Sequence, residues 1–200
     1  AAANWKMAYD AGIRFAFIKA TEWGADRYFS ERMQYAKNAG ILRGAYILAH
    51  FELDNMKEQA DLFIKTVGVD KGELPPVLDL ESPPGGDKPW PKGKPLFNKI
   101  KDLLDRMEQA FGRKPLIYTS QSIVRDYQIT NPSWGKDYDV WVATYPWMPN
   151  TKLQYSDPNN PPKWGSTYPP QPDGYKPWAI WQWTEKGRVP GMNDENVDID

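Results

Sequence analysis

The sequence predicts an α/β fold in which βα units surround a parallel sheet, and three features carry that prediction. Short apolar, β-favouring runs alternate with longer amphipathic segments, the pattern of strands joined by crossover helices. Helical stretches end at glycines, Gly12 and Gly40 among them, as helix stops do. After residue 128 helical periodicity fades and strands dominate, so few helices are expected in the C-terminal part.

Taken in order, residues 4–11 (NWKMAYDA) read as a helix stopped by Gly12, and 13–19 (IRFAFIK) as a buried strand. Residues 27–39 form a second helix ending at Gly40, and 41–48 (ILRGAYIL) a second strand. A third helix spans 54–67, with Met56, Ala60, Phe63 and Ile64 close to helical spacing. The strand at 76–80 (PVLDL) is entered through Pro75 and Pro76, where a missing N–H does little harm. Residues 96–111 give the clearest helix, because Leu96, Ile100, Leu103, Leu104, Met107 and Phe111 fall on one side. Strands at 114–119, 139–144, 178–183 and 197–199 follow, which makes seven. The segments 82–95 and 145–177 are rich in Pro, Gly, Asn and Trp and are expected to be ordered or semi-ordered loops.

Composition removes several classes of function. The chain has 200 residues with 40% hydrophobic side chains, enough for one domain with a real core. Its 25 basic and 26 acidic residues leave a net charge of −1, without the basic excess that nucleic acid or an anionic membrane requires. No apolar run approaches the ~20 residues that cross a bilayer. Lys6, Asp10 and Arg14 interrupt the stretch where a signal peptide would need apolar residues, so none is expected in this chain. Zero Cys excludes disulfides, thiolate nucleophiles and Cys-ligated metals, and a single His, His50, gives a Ser-His-Asp triad little to work with. Neither a cofactor nor a metal is expected, and the chemistry falls to carboxylates, hydroxyls, amides and aromatics. The aromatic surplus, 10 Trp, 11 Tyr and 7 Phe, fits a large core and a ligand cleft equally well.

The sharpest motif is Asp79-Leu80-Glu81, closing a buried strand. Residues i and i+2 of a strand face one side at about 6.6 Å. Both carboxylates therefore project at the C-terminal mouth of the sheet, where parallel β/α folds build their active sites. Carboxylates this close oppose each other's ionisation, so one can stay protonated as an acid while the other stays charged. That division of labour suits glycosidic bond cleavage. An N-cap, a salt bridge or a cation site would use the same residues for structure alone.

The runs FAFIKATEWGADRYF (15–29), GAYILAH (44–50), PPVLDLE (75–81), PLIYTS (115–120), VWVATY (140–145), WAIWQWT (178–184) and NVDID (196–200) resemble the glycoside hydrolase family 25 lysozymes, over nearly the whole chain and in order. That family holds the Chalaropsis-type N-acetylmuramidases and many phage endolysins. The resemblance implies a modified TIM-like β/α barrel and cleavage of the β-1,4 bond from N-acetylmuramic acid to N-acetylglucosamine in peptidoglycan. It assigns Glu81 as general acid/base, Asp79 as the carboxylate that assists it, and Asp198 as a further cleft acid. Asp200, one repeat along, is the weaker counterpart. It implies net retention assisted by the substrate's 2-acetamido group, with a nucleophilic Asp as the rival mechanism.

Tyr46, Tyr118 and Trp141 are implied cleft residues, with Gln182 beside them. Tyr145 and Trp183, also at strand ends, are positioned to stack on sugar faces. Trp178 and Trp181 read as core, and Trp90, Trp147 and Trp164 as a loop rim. His50 reads as a satisfied structural imidazole, and Lys19 with Glu22 as a strand-end ion pair. The implied partner is bacterial cell-wall peptidoglycan, met by a monomer that is secreted or phage-delivered.

One departure stands out. The family begins with a strand carrying a DVSxxQG-like motif and another cleft Asp, whereas AAANWK matches only the end of that region. Residues 1–200 are therefore expected to form a single catalytic domain lacking the first barrel strand and bearing no wall-binding module. Such a barrel exposes two unpaired edges. The alternative reading is a catalytically impaired, glycan-binding core of such an enzyme.

Overall fold

The computed structural model describes residues 3–81, 89–148, 150–163, 169–193 and 196–200. Its centre is a six-stranded parallel sheet in the order β1 (Phe15–Thr21), β2 (Leu42–Leu48), β3 (Val77–Asp79), β4 (Leu116–Thr119), β5 (Val140–Ala143) and β6 (Trp178–Gln182). Helices α1 (Trp5–Asp10), α2 (Phe29–Asn38), α3 (Met56–Val67), α4 (Lys94–Phe111) and α5 (Gln121–Asp126) precede or connect the first five strands. No α-helix is described between β5 and β6, in agreement with the fading periodicity. The sheet curls into a half-barrel, with β1 at one edge and β6 at the other. A separate antiparallel pair, β7 (Thr184–Gly187) and β8 (Val197–Ile199), completes the described strands.

Each face of the sheet has its own layer, as a strand period of two requires. Ile18, Ala45, Ile47, Leu78, Ile117, Val140 and Val142 join the large core shared with the helices. Helix α4 lays Leu96, Ile100, Leu103, Leu104, Met107 and Phe111, all buried, into that core. Pro95 sits in its first turn, where a missing N–H costs nothing, and Gly112 ends it in the left-handed conformation at φ 69°. The inner face carries Val77, Leu116, Tyr118 and Trp141, with Phe17, Tyr46, Ala143 and Ile180 packed against them.

Most element ends shift by one or two residues from the sequence reading, and three differences have a clear local reason. The first strand starts two residues late, because the Ile13 N–H still donates to Ala8 O behind the end of α1. The run WAIWQW forms one strand up to Gln182; the chain leaves the sheet at Trp183, whose N–H donates to Ile199 O, and continues as β7, a strand not expected from the sequence, so eight strands are described instead of seven. Helix α5 was not foreseen; it is a single short helix capped by Ser120, whose hydroxyl accepts from the Ile123 N–H.

Arg43 is the other surprise, a strand guanidinium that is fully buried. It bonds to both carboxylate oxygens of Asp70 at 3.0 Å and to Glu73 at 2.6 and 3.1 Å, tying β2 to the segment that leads into β3.

Candidate active site

Strand β3 lies between β2 and β4, with Leu48, Asp79 and Tyr118 in register. The ladder extends one residue further, since the Leu80 N–H donates to Tyr118 O at 2.9 Å. The backbone is thus held up to the residue before Glu81, and alternation puts Asp79 and Glu81 on the inner face at the mouth. Asp79 is buried, and its Oδ1 has no hydrogen-bond partner among the described residues. Glu81 is half-buried.

Both carboxyls are held above the usual carboxylate range. For Asp79 the main cause is loss of solvation, followed by the negative charges of Glu81 and Asp198, with Lys19 opposing. For Glu81 it is again loss of solvation, then the charges of Asp198, Glu185 and Glu22. Burial in company with like charges makes these groups poor anions and ready proton carriers.

Beneath them opens a cavity of about 1380 Å³, lined by Tyr46, Asp79, Glu81, Tyr118, Trp141, Tyr145 and Asp198 among others. These predicted residues come from five strands and the segments just after β3 and β5, so only the curled sheet brings them together. Asp200 lines it as well, and its Oδ1 accepts from the Trp141 Nε1–H at 2.6 Å. Asp200 lies at the exposed end of β8, yet desolvation of its carboxyl beside Trp141 pushes it up to about 7. Burial likewise raises the phenols of Tyr46, Tyr118 and Tyr145, which stay neutral hydrogen-bonding groups.

Gln182 does not line the cavity. It is buried behind the wall, where its Oε1 accepts from the Tyr118 hydroxyl at 2.6 Å and the Tyr145 hydroxyl at 3.0 Å. Trp183 does not line the cavity either: it is buried in the large core with Tyr155 edge-on at 6.2 Å. Trp90, expected on the rim, is buried too, with its Nε1–H donating to Glu52 Oε2. Trp178, expected in the core, is exposed at the start of β6, whereas Trp181 is half-buried and bonds to Thr144 O. Trp147 is exposed on the loop after β5, as expected, and Trp164 lies outside the described residues.

Lys19 and Glu22 form the foreseen ion pair at 2.9 Å. His50 is buried and only half satisfied: Nδ1 lies 2.8 Å from Glu52 Oε1, while Nε2 has no partner among the described residues. Glu185, whose charge acts on Glu81 and which lines the cavity, was missed. Its strand, TEKG, carries no apolar alternation that could have announced it.

The family model for glycosyl hydrolases family 25 matches residues 1–192. The chain belongs to this family. Relatives include the Escherichia coli protein YegX, 33% identical over 190 residues, and lysozyme M1 of Streptomyces globisporus, 31% identical over 201 residues. These alignments take in 92% and 96% of the chain, which spans only 58% and 61% of the two relatives. The bacterial lysozyme of Streptomyces coelicolor superposes with a TM-score of 0.73 at 28% identity, covering 98% of this chain and 84% of that one. The family 25 half-barrel is thus shared beyond the motifs that first suggested it. Among the described residues, no helix is long and apolar enough to cross a membrane.

Proposed function

We propose that this family 25 chain is a peptidoglycan hydrolase that cleaves the β-1,4 bond between N-acetylmuramic acid and N-acetylglucosamine. The observation that carries the reading is the Asp79–Glu81 pair, both carboxyls raised by burial and like charge, above an aromatic-lined cavity. The names of its relatives, a lysozyme among them, point the same way.

In this mechanism Glu81, whose proton affinity is raised by loss of solvation and neighbouring negative charge, gives a proton to the glycosidic oxygen as the bond to the anomeric carbon breaks. The carbonyl oxygen of the substrate's 2-acetamido group attacks that carbon from the opposite face, forming a cyclic intermediate. Asp79, in its charged form, accepts the acetamide N–H through its buried Oδ1, which has no partner among the described residues, and stabilises the positive charge that develops. Water then opens the ring with Glu81 as base, and the configuration is retained. Such substrate assistance stands outside the usual two-carboxylate scheme. Asp198 keeps the proton affinity of both groups high. The natural partner is bacterial cell-wall peptidoglycan, which the protein meets as a monomer, after secretion or phage delivery.

Peptidoglycan digestion with mass spectrometry of the released fragments tests this, with Glu81→Gln as control. Fragments ending in reducing muramic acid that vanish in the control are expected. Near-normal turnover by Glu81→Gln removes Glu81 from the chemistry.

A further inference from the structure

We propose that Trp23 is a stacking platform for a pyranose ring of the glycan strand, placed on the rim of the cleft beyond the acid pair. The proposal rests on the hydrolase reading and adds a specificity determinant to it. Trp23 sits in the turn that follows β1, at the same end of the sheet as Asp79 and Glu81. That turn is fixed: the Asp26 N–H donates to Ala20 O at 2.8 Å, the Glu22 N–H to Gly24 O at 3.1 Å, and Thr21 bridges Ala25.

The indole is 65% exposed, yet it is held flat against the His50 imidazole, with ring centroids 3.4 Å apart and planes 27° from parallel. His50 is 2% exposed. Its backbone N–H donates to Gln59 Oε1 at 2.9 Å, and Glu52 fixes Nδ1. Glu52 is anchored in turn by the Trp90 Nε1–H at 3.0 Å, and Trp90 packs edge-on against Phe51 at 5.0 Å. One face of the indole therefore rests on a stack anchored in the core, and the other is left to solvent.

A flat apolar face held open in this way is a binding surface ordered in advance, which spares a ligand the cost of fixing the ring. His50 Nε2, in the ring beneath the platform, has no partner among the described residues and so gives no hydrogen bond there in return for that placement. The ligand chemistry follows from the shape. A pyranose offers a face of C–H groups for the indole and hydroxyl or amide groups at its edge. Beside Trp23, the partly exposed carboxylate of Glu22, paired with Lys19, meets that edge. A peptide stem offers no comparable flat C–H face.

The test is saccharide binding in the Glu81→Gln background, by tryptophan fluorescence and calorimetry, with N-acetylglucosamine oligomers of increasing length, peptide-free glycan strands and peptide-bearing glycan fragments. Trp23→Ala removes the ring; Trp23→Leu removes it while still covering His50, and thermal melting checks that both fold. The expected result is an affinity loss of about tenfold for the longest oligomer, growing with chain length in both variants, as for a buried aromatic anchor. Equal affinity of the variants and their parent, or a loss independent of length, overturns the platform alone. A loss seen only with peptide-bearing fragments overturns the sugar assignment. A parent that binds no saccharide overturns the hydrolase reading and the platform with it.

Discussion

Replacing Gln182 by Leu probes whether the cleft wall is held by its buried hydrogen bonds. Gln182 Oε1 accepts two hydroxyls, Tyr118 at 2.6 Å and Tyr145 at 3.0 Å, and the residue is 1% exposed. Each such bond contributes about 1 kcal/mol net. After Gln182→Leu the hydroxyls have one another, but at 3.4 Å that contact recovers only part of one bond. The expected loss is about 1.5–2 kcal/mol, or roughly 3–8 °C in Tm for a chain of this size. Tyr118→Phe alone costs about 1 kcal/mol, but added to Gln182→Leu it costs little, because the acceptor is already gone. Denaturant unfolding of the two single variants and the double variant measures the coupling, expected near 1 kcal/mol. Additive losses, or a Gln182→Leu variant as stable as its parent, refute the idea that this acceptor holds the wall.

Two further substitutions test the electrostatics of the acid pair. Asp79 is raised above its unfolded value, so its contribution to stability is full below the unfolded pKa and is lost as pH rises through the folded one. Asp79→Asn should therefore melt higher than the parent at pH 8, with the gain shrinking towards pH 4; a gain that is constant across that range, or reversed, contradicts a buried carboxyl whose ionisation the fold opposes. Glu185 is one of the charges that raise Glu81. Glu185→Gln should lower the Glu81 pKa and move the alkaline limb of wall lysis to lower pH, whereas an unmoved limb in a pH–rate profile detaches Glu185 from the site.

Much of the site was legible because its signal is local. The spacing of Asp79 and Glu81, with the period-two rule, places both acids at one mouth before any contact is known. The clean apolar stripe of α4 was legible for the same reason. What escaped lacked a local signature. Glu185 sits in a polar strand that pairs only with β8, and α5 is too short for periodicity to register. The tryptophans misled in both directions, since Trp90 is buried and Trp178 exposed, and an indole suits either place. Buried Arg43 is likewise invisible to pattern, because only the approach of Asp70 and Glu73 makes its burial tolerable.

The sequence by itself determined the βα alternation, the parallel sheet, the acid pair and the family, since each depends on residue identity at short, fixed separations. Tertiary structure decided which aromatic rings reach the cavity, that Gln182 braces the wall from behind, and that Trp23 lies on His50 instead of being buried. Those outcomes depend on how far the sheet curls and which strand ends meet, distances between residues far apart in the chain that no local pattern encodes.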